Sequence, residues 1–251
     1  MRRITTLAVV ALLLVTASSA SAITHGESDG ESHPYVGFAW LDNGALCSGT
    51  LLSPTVFLTA GHCTAGASMA VVWFTPFVAF PPTLTGSVFG TPSTHPDYDA
   101  ATAFPDVGVV VLWTPVVLDT YASLPVPGIL AEARKPVKLV TVGYGLQDPD
   151  QSILPGLERR KASRQLVEMS SALTGGFYFR ATSAPGKGTG DGQTAAGGAC
   201  HGDSGGPALL AGTHTIVGIT SFALNGSCSG GDYSFRVDIP MAQDFIRSFL
   251  D

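Results

Sequence analysis

Residues 202–207 have the sequence Gly-Asp-Ser-Gly-Gly-Pro, which is the most specific string in the chain. The hydroxyl of a serine such as Ser204 is a weak nucleophile until a base accepts its proton, and the anion formed at an attacked carbonyl needs fixed donors. Glycines around the serine allow backbone N–H groups to approach a substrate closely. The string therefore indicates nucleophilic catalysis at Ser204 rather than an ordinary glycine-rich turn.

The base that activates a serine is usually a histidine, and the chain contains six. His62 lies in the string Leu-Thr-Ala-Gly-His-Cys at 58–63, at the end of an apolar strand, where a disulfide at the next residue would hold its loop. His201 is the rival, but it is too close along the chain to the serine to reach back easily. His95 and His214 have turn-like contexts and are predicted to be solvated surface residues.

The third member of such a site is a carboxylate that orients the imidazole and stabilises its cation. Asp106 directly precedes the apolar run 107–112, so it enters a buried strand, where a carboxylate without a partner is costly. Asp97 and Asp99 are the alternatives, in a polar turn that favours contact with water. The sequence therefore predicts Asp106 as the orienting carboxylate.

The overall composition excludes several classes of protein. Among 251 residues, 45% are apolar and 13% charged, which excludes a disordered chain, and 4 Cys are too few for a cysteine scaffold. The net charge is −6, and no basic run is longer than the triplet at 159–161. Binding to nucleic acid is therefore not expected.

Short apolar or alternating runs between glycines and prolines predict many short strands and an all-β fold. The runs are 36–41, 46–52, 56–59, 69–74, 107–112, 137–142, 176–181, 208–210 and 215–222. Apolar residues spaced for one helical face after Pro240 predict a terminal helix. A proline-rich stretch suggests a linker at 122–136, which separates one unit at 23–121 from a second at 137–251.

The N-terminal residues 1–22 have the pattern of a secretory signal peptide. A basic start is followed by the nine-residue apolar run Leu7–Val15 and by small residues that end at Ala22. Nine residues are too few for a membrane span, which needs about 20. We expect a secreted, extracellular protein that begins at Ile23 and has no membrane anchor after cleavage.

An exported chain meets oxidising conditions, so the four cysteines are expected to form two disulfides. The sequence alone permits three pairings of Cys47, Cys63, Cys200 and Cys228. Pairing within each half of the chain would close short loops, each contributing roughly 2–4 kcal/mol. Metal binding is the rival use of cysteine, but the chain contains neither a Cys-x-x-Cys nor a His-Glu-x-x-His string.

The string at 58–63, Asp106 before an apolar strand and the string at 202–207 occur in the order His, Asp, Ser. Together they resemble the trypsin/chymotrypsin family of serine endopeptidases, and the resemblance covers nearly all of residues 23–251. It implies two packed six-stranded antiparallel β-barrels with the site in the cleft between them. It also implies that His62 is general base and acid and that Ser204 is the nucleophile.

The resemblance also implies further site residues. Gly202 and Ser204 would provide the N–H groups of the oxyanion hole. The segment Ser221-Phe222-Ala223 corresponds to the one that pairs with an extended substrate backbone. The family pairings support the disulfides Cys47–Cys63 and Cys200–Cys228.

Members of the family become active when a new terminus, usually an isoleucine, folds inward and pairs with the acid before the nucleophile. Here these residues would be Ile23 and Asp203, although Thr24 and His25 depart from the usual pattern. One cut after Ala22 would then both export and activate the protein, without a separate propeptide.

No metal or other cofactor is expected. Several relatives bind calcium in a loop after the histidine, but this chain has no Asp or Glu between Asp42 and Asp97.

Specificity depends on two positions of the substrate pocket. Gly198 stands six residues before Ser204, where trypsin-like members have an aspartate, so a strict preference for Lys or Arg is disfavoured. One alignment places Asp232 on the pocket wall and suggests a broad pocket that accepts basic as well as apolar residues. Another places Gly231 there and suggests a chymotrypsin- or elastase-like preference. Ala223, where a glycine is frequent, narrows the entrance.

The leading hypothesis is a secreted, monomeric serine endopeptidase that acts on proteins or peptides through an acyl-enzyme, with protein inhibitors as candidate partners. One alternative is an inactive homologue that acts as a binding protein, which the complete set of catalytic positions disfavours. A second alternative is an esterase, because residues 202–206 satisfy the loose pattern Gly-x-Ser-x-Gly. The chain order Ser, Asp, His that accompanies that pattern is missing.

Overall fold

The computed structural model describes residues 23, 26–134, 136–146, 153, 155–169, 174–182, 198–224, 228 and 232–250. The strands in this part of the chain are β1 (Glu27–Ser28), β2 (Val36–Leu41), β3 (Leu46–Leu51), β4 (Val56–Thr59), β5 (Ala70–Trp73), β6 (Phe77–Ala79), β7 (Ser87–Thr94), β8 (Gly108–Leu112), β9 (Lys138–Gly143), β10 (Gly156–Glu158), β11 (Arg160–Glu168), β12 (Tyr178–Ala181), β13 (Pro207–Leu210), β14 (Ile216–Ala223) and β15 (Asp232–Arg236). The helices are α1 (Gly61–Thr64), α2 (Ile129–Glu132) and α3 (Pro240–Arg247).

Six antiparallel strands close the first barrel in the order β2-β3-β4-β8-β7-β5, and β5 pairs back with β2. The β-branched and aromatic residues of β4 and β8 suit a pleated, buried surface, and β4 is buried at every position. Gly49 on β3 lets the ring of Phe57 pack directly on the backbone, since a Cβ there would lie 2.4 Å from that ring. The interior of this barrel is therefore filled by side chains.

The second barrel has the order β11-β12-β15-β14-β13-β9, and pairing of β9 with β11 closes it. The short strand β1 pairs with β11 at residues 160–161 and so connects the N-terminal segment to this barrel. The two predicted six-stranded barrels are confirmed. The division into units at 23–121 and 137–251 with a linker at 122–136 stays a prediction.

All nine predicted apolar runs overlap a strand, whereas β1, β6, β7, β10, β11 and β15 were not predicted from the sequence. In β7, Gly90 and Pro92 interrupt the pattern. In β11 the alternation is hidden because one inward position is an arginine, Arg164, between the buried residues Ala162 and Leu166. Propensity arguments fail at such positions because a distant partner, not the local sequence, stabilises the residue.

The predicted terminal helix is confirmed as α3, which places Ala242 and Ile246 in the core. Phe245 on the same helix packs against the ring of His95, with a centroid distance of 5.1 Å. The prediction that His95 is a solvated surface residue is therefore wrong, because the terminal helix covers it. His214 is exposed, as predicted. None of the described helices has the length and apolar character needed to cross a membrane.

Arg159 is a fully buried cation at the junction of β10 and β11. Its Nε donates to Oδ2 of Asp29 at 3.1 Å, and its Nη1 donates to the carbonyl oxygens of Val36 and Phe74 at 3.0 and 2.9 Å. Its Nη2 donates to the carbonyl oxygen of Gly30 at 2.6 Å. Arg159 therefore links the N-terminal segment, the first barrel and the start of β11.

We expect Arg159→Met to lower the free energy of unfolding by about 3–5 kcal/mol, because the buried carboxylate of Asp29 loses its buried cation and keeps its contacts with His33, while three carbonyl groups lose a donor. Urea unfolding followed by tryptophan fluorescence measures the change. Arg180→Met is the matched control, since the ion pair of Arg180 with Glu168 is roughly one-third exposed and its loss should cost less than about 1 kcal/mol. Equal losses in the two variants would contradict the structural role of Arg159.

Candidate active site

His62 lies in the short helix α1, directly after β4. A Cβ on Gly61 would lie 3.0 Å from the backbone nitrogen of Val107, so glycine allows the helix to approach the start of β8 this closely. The disulfide between Cys63 and Cys47 ties α1 to β3. The backbone and the disulfide thus hold the imidazole of His62, which is 30% exposed.

Asp106 lies just before β8, and its side chain is completely buried. Its Oδ1 accepts the backbone N–H of His62 at 2.8 Å, and its Oδ2 is 3.0 Å from Nδ1 of the same histidine. The hydroxyl of Ser221 also donates to Oδ2. Because a carboxylate only accepts, Nδ1 of His62 carries the hydrogen, and Nε2 is left as the nitrogen that can act as a base.

Two tyrosines lie within the field of the Asp106 carboxylate. Burial is the main cause that raises the pKa of Tyr178, and the negative charge of Asp106 raises it further. The same two causes, in the same order, raise the pKa of Tyr98. The Tyr178 hydroxyl donates to the carbonyl oxygen of Ala103 at 2.6 Å. Burial and the nearby carboxylate therefore both favour the protonated form of these two tyrosines.

The alternative candidates lie in different surroundings. Asp97 and Asp99 are exposed in the turn before β8, as their polar context suggested. His201 is also exposed, and it lies at the rim of both cavities that border Ser204. Of the candidate acids, only Asp106 is hydrogen-bonded to His62 among the described residues.

Ser204 lies where two cavities meet. One, of about 290 Å³, is lined by residues 221–223, and the other, of about 340 Å³, is lined by His62. The carbonyl oxygen of Ser204 accepts the N–H of Ser48 on β3 at 2.8 Å, which anchors the serine to the first barrel. The structure thus places His62 and Ser204 on the wall of one cavity.

The backbone N–H groups of Gly202 and Ser204 flank the serine hydroxyl in sequence and have no protein acceptor among the described residues. Gly202 has φ of +98°, a left-handed conformation that glycine adopts at low cost. The hydroxyl of Ser48 donates to the carbonyl oxygen of Gly202 at 2.8 Å and holds this conformation. In the described part of the chain, neither N–H donates to a protein acceptor. Both can therefore donate to an oxygen of a bound molecule.

Asp203 is fully buried beside the serine. Its carboxylate accepts the N–H groups of Gly145 and Cys200 at 2.8 and 2.9 Å. A Cβ on Gly145 would lie 2.5 Å from the carboxyl carbon, so the glycine leaves the space that the carboxylate fills. Burial raises the pKa of Asp203 to about 7, although the two hydrogen bonds act in the opposite direction. Ile23 is also fully buried.

The cavity beside residues 221–223 is lined by Asp232, whose Oδ2 accepts the N–H of Ala199 at 2.7 Å. Gly198 is buried just before Ala199. The predicted disulfide Cys200–Cys228 is present, and both cysteines line the same cavity as Asp232. A β-bulge between Thr220 and Phe222 turns the side chain of Ser221 toward Asp106.

Sequence reasoning missed three residues that shape the site. The hydroxyl of Ser48 donates to Gly202 and accepts the N–H of Tyr144 at 2.9 Å. Gly145 leaves room for Asp203, and Arg164 contacts Asp232 at 2.7 Å. Only Arg164 carries a signal in the sequence, as a charged residue at an inward position of an alternating segment.

Several predictions concern residues outside the described part of the chain. They are the signal peptide at 1–22, the unusual residues Thr24 and His25, and the alternative pocket residue Gly231. One described cluster, Cys47, His62 and Cys63, brings three potential metal ligands within 4.8 Å. Its two sulfurs are joined in a disulfide, so they do not offer thiolates to a metal.

The amino-acid sequence of this chain is similar to those of several known proteins. The family model described as Trypsin matches residues 23–246. Brachyurin from Leptuca pugilator is 30% identical over 210 residues, which are 80% of this chain and 85% of that protein. Trypsin from Saccharopolyspora erythraea is 29% identical over 203 residues, which are 76% of this chain and 82% of that protein.

Solved structures share the fold at lower identity. HL collagenase superimposes with a TM-score of 0.72 at 20% identity, over 90% of this chain and 97% of that one. Human heparin binding protein has a TM-score of 0.68 at 18% identity, over 91% and 96% of the two chains. The inactivated protease paralogue S-D1 of the scabies mite has a TM-score of 0.69 at 18% identity, over 89% and 95%.

While Ala22 precedes Ile23, the nitrogen of Ile23 is a peptide amide and carries no charge. For this form of the protein, the raised pKa of Asp203 predicts an unusual pH dependence of the free energy of unfolding. An acid whose pKa is about 7 when folded and about 3.9 when unfolded binds more protons in the folded state between these values. Its contribution to stability is therefore complete below pH 4 and is lost as the pH rises to 7, by the order of 4 kcal/mol.

Urea unfolding at pH 4 to 8, on protein that retains Ala22 before Ile23, tests this expectation against the Asp203→Asn variant of the same form, which cannot ionise. The free energy of unfolding of the parent should fall relative to that of the variant as the pH rises. A constant difference between the two proteins across this range would contradict the raised pKa.

Proposed function

We propose that this chain, which belongs to the trypsin family, is a secreted serine endopeptidase that uses Ser204, His62 and Asp106. The observation that carries the proposal is the buried carboxylate of Asp106 against Nδ1 of His62, in a cleft that His62 and Ser204 line together. A histidine held in this tautomer presents Nε2 as a base, which is what a serine hydroxyl requires.

In the proposed reaction, Oγ of Ser204 attacks the carbonyl carbon of the scissile peptide bond while Nε2 of His62 accepts the hydroxyl proton. The N–H groups of Gly202 and Ser204 stabilise the oxyanion. His62 then donates the proton to the leaving amine, and the C–N bond breaks to give an acyl-enzyme. Water, deprotonated by His62, attacks the ester carbonyl. The bond between the acyl carbon and Oγ then breaks, and His62 returns the proton to Oγ, which restores the serine and releases the acid. Asp106 keeps its charge throughout and stabilises the imidazolium.

The end of β14 is suited to hold an extended substrate. Pairing of β13 with β14 ends at Pro207 and Ile219, so no described strand covers residues 221–223 on that side. A peptide could add there as a further antiparallel strand, with its backbone groups as partners. Its side chain would enter the cavity of about 290 Å³, for which we propose broad or apolar rather than strictly trypsin-like specificity, because Gly198 provides no carboxylate.

Secretion is supported by the two disulfides, which form in oxidising compartments, and by the signal-like sequence of residues 1–22. We propose a monomer that acts on proteins or peptides and that protein inhibitors can block by occupying the same strand edge.

The inactive binding protein remains the alternative, because the fold alone does not distinguish it. Two structural neighbours are named as a heparin binding protein and an inactivated protease paralogue. The proposal of an enzyme instead rests on the arrangement around Asp106, His62 and Ser204. A homologue without selection for catalysis has no chemical need for this arrangement.

A fluorophosphonate probe tests the reactivity of Ser204. The parent should be labelled at one site within minutes, whereas Ser204→Ala and His62→Ala should not be labelled. Both variants should lose at least about 10⁴-fold in kcat/KM on peptide substrates. The matched control is His201→Ala, which should keep labelling. A folded parent that resists the probe would support the binding-protein alternative.

We further propose that Ile23 becomes the N-terminus and that its ammonium pairs with Asp203. Burial of both residues and the raised pKa of Asp203 support this, since a cation next to that carboxyl removes the cost of its charge. One cut after Ala22 would then create the active form.

N-terminal sequencing of the secreted protein should give Ile-Thr-His-Gly. A protein that retains Ala22 should show kcat/KM at least about 100-fold lower, because the buried pair, which is worth about 3 kcal/mol when broken, cannot form. A secreted protein that begins at any other residue and is fully active would refute the activating role of Ile23.

A further inference from the structure

Arg164 is a charged residue on the inward side of β11. Its neighbours on that side, Ala162 and Leu166, are buried, and the side chain of Arg164 is only 1% exposed. A guanidinium keeps its charge in proteins, so its burial is costly unless an anion lies beside it. The strand therefore carries Arg164 toward a specific partner.

The partner of Arg164 is Asp232. Nη1 of Arg164 lies 2.7 Å from Oδ1 of Asp232, and Nε donates to the carbonyl oxygen of Thr182 at 2.6 Å. Nη2 of Arg164 and Oδ1 of Asp232 are buried and have no hydrogen-bond partner in the part of the chain that the structure describes, so the contact between Nη1 and Oδ1 is an ion pair without hydrogen-bond geometry. One cation and one anion thus face each other, and their charges cancel.

Asp232 stands between Arg164 and the cavity beside Ser204. Asp232 lines this cavity, whereas Arg164 lies behind it and does not. An isolated carboxylate at this wall would attract a Lys or Arg side chain of a substrate. Because Arg164 already pairs with this carboxylate, a Lys or Arg side chain of a substrate would be attracted less strongly by Asp232. The positive charge of Arg164 would also repel it.

We propose that Arg164 is a specificity-determining residue that neutralises Asp232 from behind and makes the cavity select uncharged side chains over Lys and Arg. The role in specificity rests on the proposed endopeptidase function. The ion pair of Arg164 with Asp232 does not rest on it, so binding and catalysis are tested separately.

The binding test uses Ser204→Ala as the parent, so that no catalysis is needed. p-Aminobenzamidine is an aromatic cation, and p-aminobenzamide is its neutral analogue of nearly equal shape. In the Arg164→Met variant, affinity for the cation should rise at least about 10-fold, whereas affinity for the neutral analogue should change less than about 3-fold. An unchanged ratio of the two affinities would overturn the proposal.

Arg164→Met leaves Asp232 buried without its cation, which can prevent folding. The double variant Arg164→Met/Asp232→Asn removes both charges and keeps the proposal falsifiable. If the pair is neutral, the double variant should retain the parent's ratio of affinities within about 3-fold. If Asp232 instead acts as an open receptor for cations, the ratio should fall at least about 10-fold, which refutes the role of Arg164.

The catalytic test uses proteins with Ser204 intact and peptides that differ only in Lys or Leu before the scissile bond. The parent should prefer Leu, and Arg164→Met should raise the Lys-to-Leu ratio of kcat/KM at least about 10-fold. Active-site titration confirms that equal amounts of enzyme are compared. An unchanged Lys-to-Leu ratio overturns the specificity role of Arg164 alone. If a folded parent hydrolyses no peptide, that result counts against the endopeptidase function. The binding test then decides by itself whether Arg164 neutralises Asp232.

Discussion

The carboxylate of Asp106 is buried where the two barrels meet, and it accepts hydrogen bonds from both. His62 donates from α1 of the first barrel, and Ser221 donates from the bulge in β14 of the second. A carboxylate in an apolar interior is stable only while such donors compensate its charge. This one group therefore orients the imidazole and joins the two barrels at the cleft around Ser204.

The other buried charges obey the same constraint in different ways. Arg159 and Asp29 are 130 residues apart in sequence, and their contact joins the N-terminal segment to the start of β11. Arg164 forms an ion pair with Asp232, which lines the cavity beside Ser204. Asp203 accepts two backbone N–H groups, which lower its pKa. Burial raises its pKa by more, so the pKa stays above its ordinary value. A new cation nearby would therefore act strongly on Asp203, whereas the two ion pairs are already balanced.

Most of the candidate site could be proposed from the sequence because its chemistry restricts residue types locally. Ser204 required glycines around it, His62 required a held loop, and Asp106 required a partner because it enters a buried strand. The predictions failed where a distant residue decides the environment. β11 was missed because its inward arginine hides the alternation, and His95 was misjudged because α3 covers it.

The sequence by itself determined the all-β class, most strands of both barrels, the terminal helix and the residues that cluster around Ser204. Periodicity and chemically constrained strings are properties of short segments, so they need no knowledge of the rest of the chain. Only the tertiary structure decided that Asp232 faces Arg164, that Ser48 holds the carbonyl of Gly202, and that Asp203 is desolvated. These contacts join segments far apart in sequence, and their energies depend on burial, which no short segment specifies.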